Sequence, residues 1–435
     1  MPLKPARPDR RHKTQSKSQP AAFTSQSILT QRPVEVDPAA ALPIVRLRTV
    51  TQHSAVFRKM LDRADDWARP GDLVAVESRD GLKIGYGLFN PRAEIVVRML
   101  RLGEPIPDES FWQLRLEAAV QLRRDVLRLP DVTDAYRVIH ADSDGLPSLV
   151  VDRYGDVLSA ETYSLAMYQR SDAILARLAK LLGTRHTFVQ VPAQSHGQEG
   201  FQAEPSRSPN APAHVDITEH GSKFRVHFGQ GHKTGFFCDQ RENRLRLAGF
   251  CAGKTVLDLC CYTGGFAVQA KRLGQAADVT AVDLDEVAID LARENAKLNQ
   301  QQIRFVHADA FGYMRDMVQN GKLFDVVVLD PPKLIRSRRE FDEGKRTHFD
   351  LNRLAMQIVR PGGLLLTCSC SGLLSEPEFV KLLLAAARPR ETAGAETTPS
   401  SWQVLARTGA GPDHPVALDV PETEYLKAVW MRRQS

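Results

Sequence analysis

The hydrophobic and polar positions divide the chain into stretches of different pattern. Up to residue 42, Pro, Gln, Ser, Lys and Arg dominate and the apolar residues have no period. Such a composition buries too little apolar surface to offset the entropy of ordering, so residues 1–42 are expected to form a disordered basic tail. From Pro43 the pattern alternates. Residues 72–77 and 82–88 read as strands joined across Arg79-Asp80-Gly81, an Asp-Gly hairpin signal, and residues 95–100 as a third, making 43–112 a small β-rich module. A spacing of three or four follows: Leu114, Ala118, Leu122, Val126 and Leu129 predict a helix with Ser110 as its N-cap. Ile174, Leu175, Leu178, Leu181 and Leu182 predict another, with a strand at 148–152 between them. Residues 113–228 are therefore expected to be an α+β unit, with a loop over 194–213 where large apolar residues are scarce.

From residue 229 to 435, short apolar runs alternate with amphipathic ones. Strands are expected at 255–259, 279–282, 304–307, 324–329, 364–367, 403–407 and 425–431, with helices between the first five and after the fifth. Runs this apolar, separated by helices, predict a doubly wound parallel α/β sheet, closed by an antiparallel pair across the last Gly/Pro loop.

Composition changes the picture little. A 435-residue chain that is 43% hydrophobic and 25% charged has room for two or three domains with their own cores. The formal charge of +6 resides in residues 1–32, which hold seven Lys/Arg and one acid; beyond them, 51 basic residues face 51 acidic ones. Bulk charge thus does not point the folded body toward nucleic acid, and only local clusters can. No apolar run approaches the roughly 18 residues of a membrane span, and the start lacks the apolar region of a secretory signal. A cytoplasmic protein with no membrane partner is expected. Cys238, Cys251, Cys260, Cys261, Cys368 and Cys370 form no Cys-x-x-Cys pair and no Cys/His series, so no metal site is expected and the thiols should be reduced.

Candidate chemistry lies at the carboxyl ends of the strands, where open α/β sheets bind ligands. Val256-Leu-Asp258-Leu-Cys-Cys-Tyr262-Thr263-Gly264-Gly265-Phe266 is a strand ending in an acid, a turn whose glycines admit a ligand close to the backbone, and a helix start. Asp283 ends the next strand, where a carboxylate can accept hydrogen bonds from both hydroxyls of a ribose. Asp309 follows the third strand; Asp330-Pro331-Pro332-Lys333 follows the fourth, its prolines stiffening the loop. Single acids at strand ends are often helix caps, but four in register argue against that for the set.

The fifth strand carries two thiols of the same parity, Cys368 and Cys370, in Thr367-Cys-Ser-Cys-Ser-Gly372. A thiolate adding to C6 of a pyrimidine makes C5 nucleophilic toward a sulfonium methyl, and Asp330 could hydrogen-bond N3; the competing reading is two core cysteines. Upstream, Lys233, Phe236, Phe237, Asp239 and Arg241 lie in a segment that would cover cofactor or target, the phenylalanines either stacking on a base or packing in the core. Downstream, Lys333, Arg336, Arg338, Arg339, Lys345 and Arg346 read as phosphate contacts or as a solvated helix face.

In combination, residues 231–244, Tyr262–Phe266, Asp330–Lys333, Ser369–Gly372, and Asp413-His-Pro with Tyr425-Leu-Lys427, resemble the bacterial ribosomal RNA large subunit methyltransferase I family, from about residue 43 to the C-terminus. The resemblance implies a class I S-adenosylmethionine (SAM) methyltransferase fold at 229–435, Rossmann-like with seven strands, behind a PUA-like RNA-binding domain at 43–112 and the central α+β domain. It implies SAM held by Asp258, Tyr262, Thr263, Gly264, Gly265, Phe266, Asp283, Asp309, Asp330 and Pro331. It implies 23S ribosomal RNA as substrate, contacted by Lys233, Phe236, Phe237, Asp239, Arg241, Lys333, Arg336, Arg338 and Arg339, and methylation at cytosine C5 with Cys370 as nucleophile. Cys368 stays open for that role, because Thr367-Cys368-Ser369 spells the motif of other cytosine-C5 families. Those families place a second cysteine after the Asp-Pro; Pro332 and Lys333 stand there instead, so product release must use another group. Methylation of a base amine or of uracil C5, and a non-catalytic role in ribosome assembly, are the alternatives. Whether the chain works as a homodimer is left open.

Overall fold

The computed structural model describes residues 27–37, 39–228, 235–388 and 401–434; residues 1–26 of the expected tail, and Lys233, lie outside them. The expectation of disorder is corrected for residues 27–37 and 39–42. Val34 is buried, Gln169 Nε2 donates to the Ile28 carbonyl at 2.6 Å, and Arg32 pairs with Asp72. Ile28, Leu29, Val34, Val36 and Leu42 reach the apolar clusters of the central unit, contacts that a Pro/Ser/Gln-rich average conceals.

Six strands form the first sheet: β1 (Ile44–Leu47), β2 (Ala55–Phe57), β3 (Leu61–Ala64), β4 (Leu73–Ser78), β5 (Lys83–Phe89) and β6 (Ile95–Leu102), in the order β2-β6-β5-β4-β1-β3. β4 and β5 pair antiparallel, as the Asp80-Gly81 signal requires, with Gly81 at φ +83°. Both faces of β4 are covered. Val74 and Val76 enter a core with Val45, Val56 and Val97, whereas Leu73 and Ala75 join Phe111, Trp112 and Leu116 of α1 (Glu109–Gln121). The N-cap of α1 is Asp108, which accepts from Phe111 N, and not Ser110, whose hydroxyl donates to Asp108. Its buried face also differs from the expected one: Leu114 and Val126 are exposed, and Phe111, Trp112, Leu116, Ala119 and Val120 are inside. The aromatic pair at 111–112 offers more apolar area than the leucine row and sets the rotation of the helix.

The central sheet is built from β7 (Ala135–His140), β8 (Leu149–Tyr154), β9 (Val157–Thr162), β10 (His186–Gln190) and β11 (Ser206–Arg207), ordered β11-β10-β9-β8-β7. α2 (Leu165–Tyr168) and α3 (Ser171–Leu182) connect β9 to β10, and α4 (Ala193–Glu199) occupies part of the expected 194–213 loop. That helix lacks apolar periodicity; it is held by the buried Glu199, which Arg98 and Asn90 bind. A hairpin of β12 (His214–Glu219) and β13 (Ser222–His227) follows.

The last sheet holds β14 (Thr255–Leu259), β15 (Asp278–Asp283), β16 (Arg304–His307), β17 (Phe324–Leu329), β18 (Val359–Ser369), β19 (Trp402–Thr408) and β20 (Lys427–Arg433). Its order is β16-β15-β14-β17-β18-β20-β19, parallel through β18, with β20 antiparallel to both β18 and β19. This is the expected doubly wound sheet closed by an antiparallel pair. Its helices are α5 (Arg241–Ala248), α6 (Gly265–Arg272), α7 (Glu286–Leu298), α8 (Ala310–Gln319), α9 (Phe341–Gln357) and α10 (Glu376–Ala387). Alternate residues of β17 serve opposite cores, Val327 and Leu329 on one side and Val326 and Val328 on the other, which is why such strands read as unbroken apolar runs. The β12–β13 hairpin docks on α7, where Asn295 and Asn299 accept from the backbone N–H groups of Arg225 and Lys223 and so cover a strand edge. Among the described residues no helix is long and apolar enough to cross a membrane.

Candidate active site

The switch point of the sheet lies between β14 and β17. Beyond β14 the chain curls through Cys260 to Gly264 into α6, with φ of +60° at Cys260, +49° at Tyr262 and +79° at Gly264. Glycine takes this conformation freely; the other two are strained and need holding. Cys261 N donates to the Val282 carbonyl (3.0 Å), and Tyr262 N to Asp283 Oδ2 (2.8 Å). Asp258 lies under the turn, 1% exposed; its Oδ2 accepts from Ala267 N at 3.0 Å, and its Oδ1 has no hydrogen-bond partner among the described residues. Burial, with Asp330 and Asp283 nearby, pushes its carboxyl well above the usual range.

The other expected cofactor residues divide by exposure. Asp283 is partly exposed and accepts one hydrogen bond on each oxygen, from Tyr262 N and from Asp285 N (2.9 Å), which leaves lone pairs for further donors. Asp309 is exposed and also caps α8, accepting from Gly312 N at 2.8 Å. Tyr262 is half-buried, edge-on to Phe237 with ring centroids 4.9 Å apart, and burial pushes its phenol up to about 12. Thr263 and Phe266 are buried beneath the loop: the Thr263 carbonyl accepts from Asn295 Nδ2, and Phe266 belongs to the core. A Cβ on Gly264 would sit 3.1 Å from Ala292, and one on Gly265 3.1 Å from Arg244, so both glycines also let the helix pack. The partly exposed Asp283 and the exposed Asp309 are a donor-seeking pair that suits a nucleoside with hydroxyl and amino groups.

Asp330 follows β17, with its N–H on the Leu259 carbonyl (3.3 Å) and Pro331 buried behind it. Gln240, 3% exposed, donates Nε2 to Asp330 Oδ2 at 2.9 Å and is itself fixed by Asn243 Nδ2 (2.7 Å). In the sequence Gln240 has a place in the 231–244 motif but no role of its own, unlike its neighbours Asp239 and Arg241. The two thiols differ. Cys368, in β18, is fully buried, and burial followed by the Asp330 charge pushes its thiol well up, against a hydrogen bond from Gln240. Cys370, one residue past the strand, is partly exposed. Across the ladder Ser369 faces Lys427, whose buried Nζ donates to the carbonyls of Ser371 (2.6 Å) and Tyr425 (2.8 Å). Behind the strand, α9 meets the alternate hydroxyls: Thr367 donates to Asn352 (2.6 Å), and Ser369 bonds His348 Nε2 (3.2 Å).

The segment before α5 is anchored by buried charges. Arg241 and Asp413 are both fully buried and meet at 2.8 and 3.2 Å; Asp413 also accepts from Arg137 N (2.9 Å), and its carbonyl from Arg123 (2.7 Å). Arg241 is therefore spent on Asp413 and cannot meet a substrate, which corrects its expected role. Phe236 is corrected likewise: it is 5% exposed, packs on Phe224 at 5.1 Å and lies under Arg244. Phe237, by contrast, lies against the cofactor turn. Asp239 accepts from Tyr425 O–H at 2.5 Å, tying this segment to the entry of β20. Lys333, Arg336, Arg338 and Arg339 are exposed between β17 and α9 and Arg346 is exposed within α9, none within ion-pair distance of a carboxylate among the described residues, while Lys345 lies over Phe341.

Comparison with known proteins agrees with this geometry. Residues 202–410 match the model of an S-adenosylmethionine-dependent methyltransferase family, and residues 48–102 that of a PUA-like domain. Ribosomal RNA large subunit methyltransferase I of Shewanella frigidimarina is 36% identical over 370 residues, 83% of this chain and 90% of that protein. The protein of the same name from Photobacterium profundum is 35% identical over 383 residues, 86% and 94% of the two chains. The fold also matches a methyltransferase solved with SAH (TM-score 0.73, 20% identity, 89% of this chain and 99% of that one). A SAM-dependent methyltransferase from Streptococcus mutans matches at TM-score 0.70, with 21% identity over 84% and 93% of the two chains. The strand-end acids, the SAM-dependent family match and the near full-length relatives converge: the chain belongs to the ribosomal RNA large subunit methyltransferase I family, and SAM is its cofactor.

Proposed function

We propose that the protein methylates C5 of a cytosine in 23S ribosomal RNA through a covalent adduct on Cys370. The relatives' name supports ribosomal RNA as substrate. The observation that carries the C5 reading is the thiol pair at the end of β18, on the strand beside the one that Asp330 terminates. Methylation of an amine needs no thiol, whereas an unactivated pyrimidine C5 does. Partial exposure and a lysine neighbour favour Cys370 as the thiolate over Cys368, since buried apolar surroundings hold a thiol protonated.

When bound, SAM supplies an electrophilic methyl. Asp283 would hold its ribose and Asp309 its adenine amino group, with the Tyr262–Gly265 turn and Pro331 as backbone walls and Phe237 beside Tyr262. Asp258, Thr263 and Phe266 would support that turn from below. Gln240 holds the Asp330 carboxyl turned toward the base, where in its protonated form it would donate to N3. The Cys370 thiolate would form an S–C6 bond, the electron pair would shift to C5, and C5 would take the methyl as its bond to the sulfonium sulfur breaks and a neutral thioether leaves. A base then removes the C5 proton and the S–C6 bond breaks, returning the thiolate. Lys333, Arg336, Arg338 and Arg339 would meet phosphates, and the PUA-like sheet would add RNA contact. Extracting the base from its stack costs a few kcal/mol, which favours unfolded or partly assembled RNA.

The test is nucleoside analysis of 23S RNA methylated by the purified protein: 5-methylcytidine is expected, and it should vanish with Cys370→Ala. An N-methylated base, or activity that survives the substitution, would overturn the reading in favour of an amine target.

A further inference from the structure

We propose that Lys427 is the cation that holds Cys370 as a thiolate. This rests on Cys370 being the nucleophile.

Lysine is almost never buried unless it is paired. Lys427 is 4% exposed, yet no carboxylate lies within ion-pair distance of its Nζ among the described residues. Its position is fixed by backbone instead. The residue opposite it in the β18–β20 ladder is Ser369, and one of the carbonyls that holds its ammonium belongs to Ser371. Cys370 is the residue between these two, so the lysine is tied to the chain on both sides of the thiol. The second carbonyl, Tyr425, is locked in turn, because the Tyr425 hydroxyl donates to Asp239. Two of the three N–H bonds are thus spent on neutral acceptors, which orient the charge without neutralising it.

Cys370 is among the groups near enough to stabilise that charge. Burial pulls the Lys427 ammonium down to about 8; Cys370 opposes this most, Glu424 and Glu376 add to it, and Lys333 works against them. From α9, His348 meets Ser369; burial and then Lys427 lower its imidazole to about 4, so it is neutral and adds no competing charge. On the thiol side, Cys368 is held protonated by burial and by Asp330. A desolvated cation beside a nucleophilic cysteine is the arrangement that lowers a thiol's pKa. On activation the Cys370 S–H proton leaves to bulk water while Lys427 keeps its three protons. No bond to the lysine forms or breaks, which makes it a positioning residue.

The test is the pH dependence of Cys370 alkylation by iodoacetamide in the full chain without substrate, with Cys368 and Cys370 resolved by fragment mass spectra. Wild type should reach half its limiting rate below pH 7.5, and Lys427→Met should raise that midpoint by a unit or more, about a tenfold loss of thiolate at neutral pH. Lys427→Arg should restore most of it, which a purely structural role would not predict. A wild-type midpoint at or above the ordinary thiol value of about 8.5 overturns the proposal without recourse to any variant, so a Met variant that fails to fold leaves it testable. An unchanged midpoint in a folded Lys427→Met protein overturns it too. Failure of the nucleophile reading looks different: the midpoint shifts as expected, but no covalent adduct with RNA forms on Cys370.

Discussion

Asp413→Ala removes the carboxylate that holds the segment before α5. In the wild type, Arg241 and Asp413 are each fully buried, joined by two hydrogen bonds of 2.8 and 3.2 Å, with Arg137 N adding a third to the carboxylate. Truncating one partner leaves the buried Arg241 guanidinium with only the half-exposed Glu242 carboxylate, 3.1 Å from its Nε, at a cost toward the lower end of about 3–5 kcal/mol. An exposed pair such as Arg124 and Asp125, screened by water, contributes far less. Most of the loss is the stranded charge, not the bond. It follows that Arg241→Met with Asp413→Leu, which removes both charges, should recover most of the stability lost by Asp413→Ala alone. Urea unfolding followed by circular dichroism measures all three variants. A loss below 1 kcal/mol for Asp413→Ala, or a double variant as unstable as that single one, would refute the reasoning. Because the same segment carries Gln240 onto Asp330, the folded fraction of Asp413→Ala should also lose kcat more than affinity for SAM.

Phe236→Ala should cost about 3–5 kcal/mol of stability as a core truncation, while Phe237→Ala, against the cofactor turn, should weaken SAM binding severalfold with little change in melting; calorimetry on both separates the roles. Neutralising Arg338 and Arg339 to Gln should leave stability unchanged and raise the KM for RNA. It should also flatten the plot of log affinity against log salt by about 0.7 for each lost phosphate contact on single-stranded RNA, and an unchanged slope would assign them to a solvated face. His348 is buried with its pKa lowered to about 4, so the unfolded chain binds its proton first on acidification. Its stabilising contribution is complete above the unfolded value of 6.5 and is lost as pH falls toward 4. His348→Leu should therefore flatten the stability profile across that window, by about 3 kcal/mol at most; an equally steep profile would contradict the neutral buried imidazole.

What the sequence made legible depended on whether the signal was local. Strands 255–259 and 324–329 are found at the expected bounds because buried parallel strands are apolar runs cut by turn residues, and the edge strand 304–307 because Phe305 and Val306 sit between polar neighbours. β18 starts at Val359, before the expected 364, since Arg360-Pro-Gly-Gly363 reads as a turn but continues the strand through an irregularity opposite Phe324–Val326. β20 starts two residues after the expected 425 because Tyr425 is drawn away to Asp239. In the site, the strand-end acids could be read from position alone. The roles of Phe236 and Arg241 could not: Asp413 lies 172 residues from Arg241, and nothing local says which of two adjacent phenylalanines faces the core. Gln240 and Lys427 lie within the motifs that carry the resemblance, but their roles could not be read for the same reason, since their partners, Asp330 and the Ser371 carbonyl, are brought to them by the sheet.

The account's central claim is covalent catalysis by Cys370, and a trapped intermediate tests it most directly. Protein, SAM and ribosomal RNA containing 5-fluorocytidine are combined, since fluorine at C5 blocks the elimination that frees the enzyme. The products are run on a denaturing gel and mapped by peptide mass spectrometry. A methylated RNA adduct on Cys370 is the predicted result. An adduct on Cys368 would keep the chemistry and reassign the nucleophile, and methyl transfer to ordinary RNA with no adduct on either thiol would contradict the mechanism.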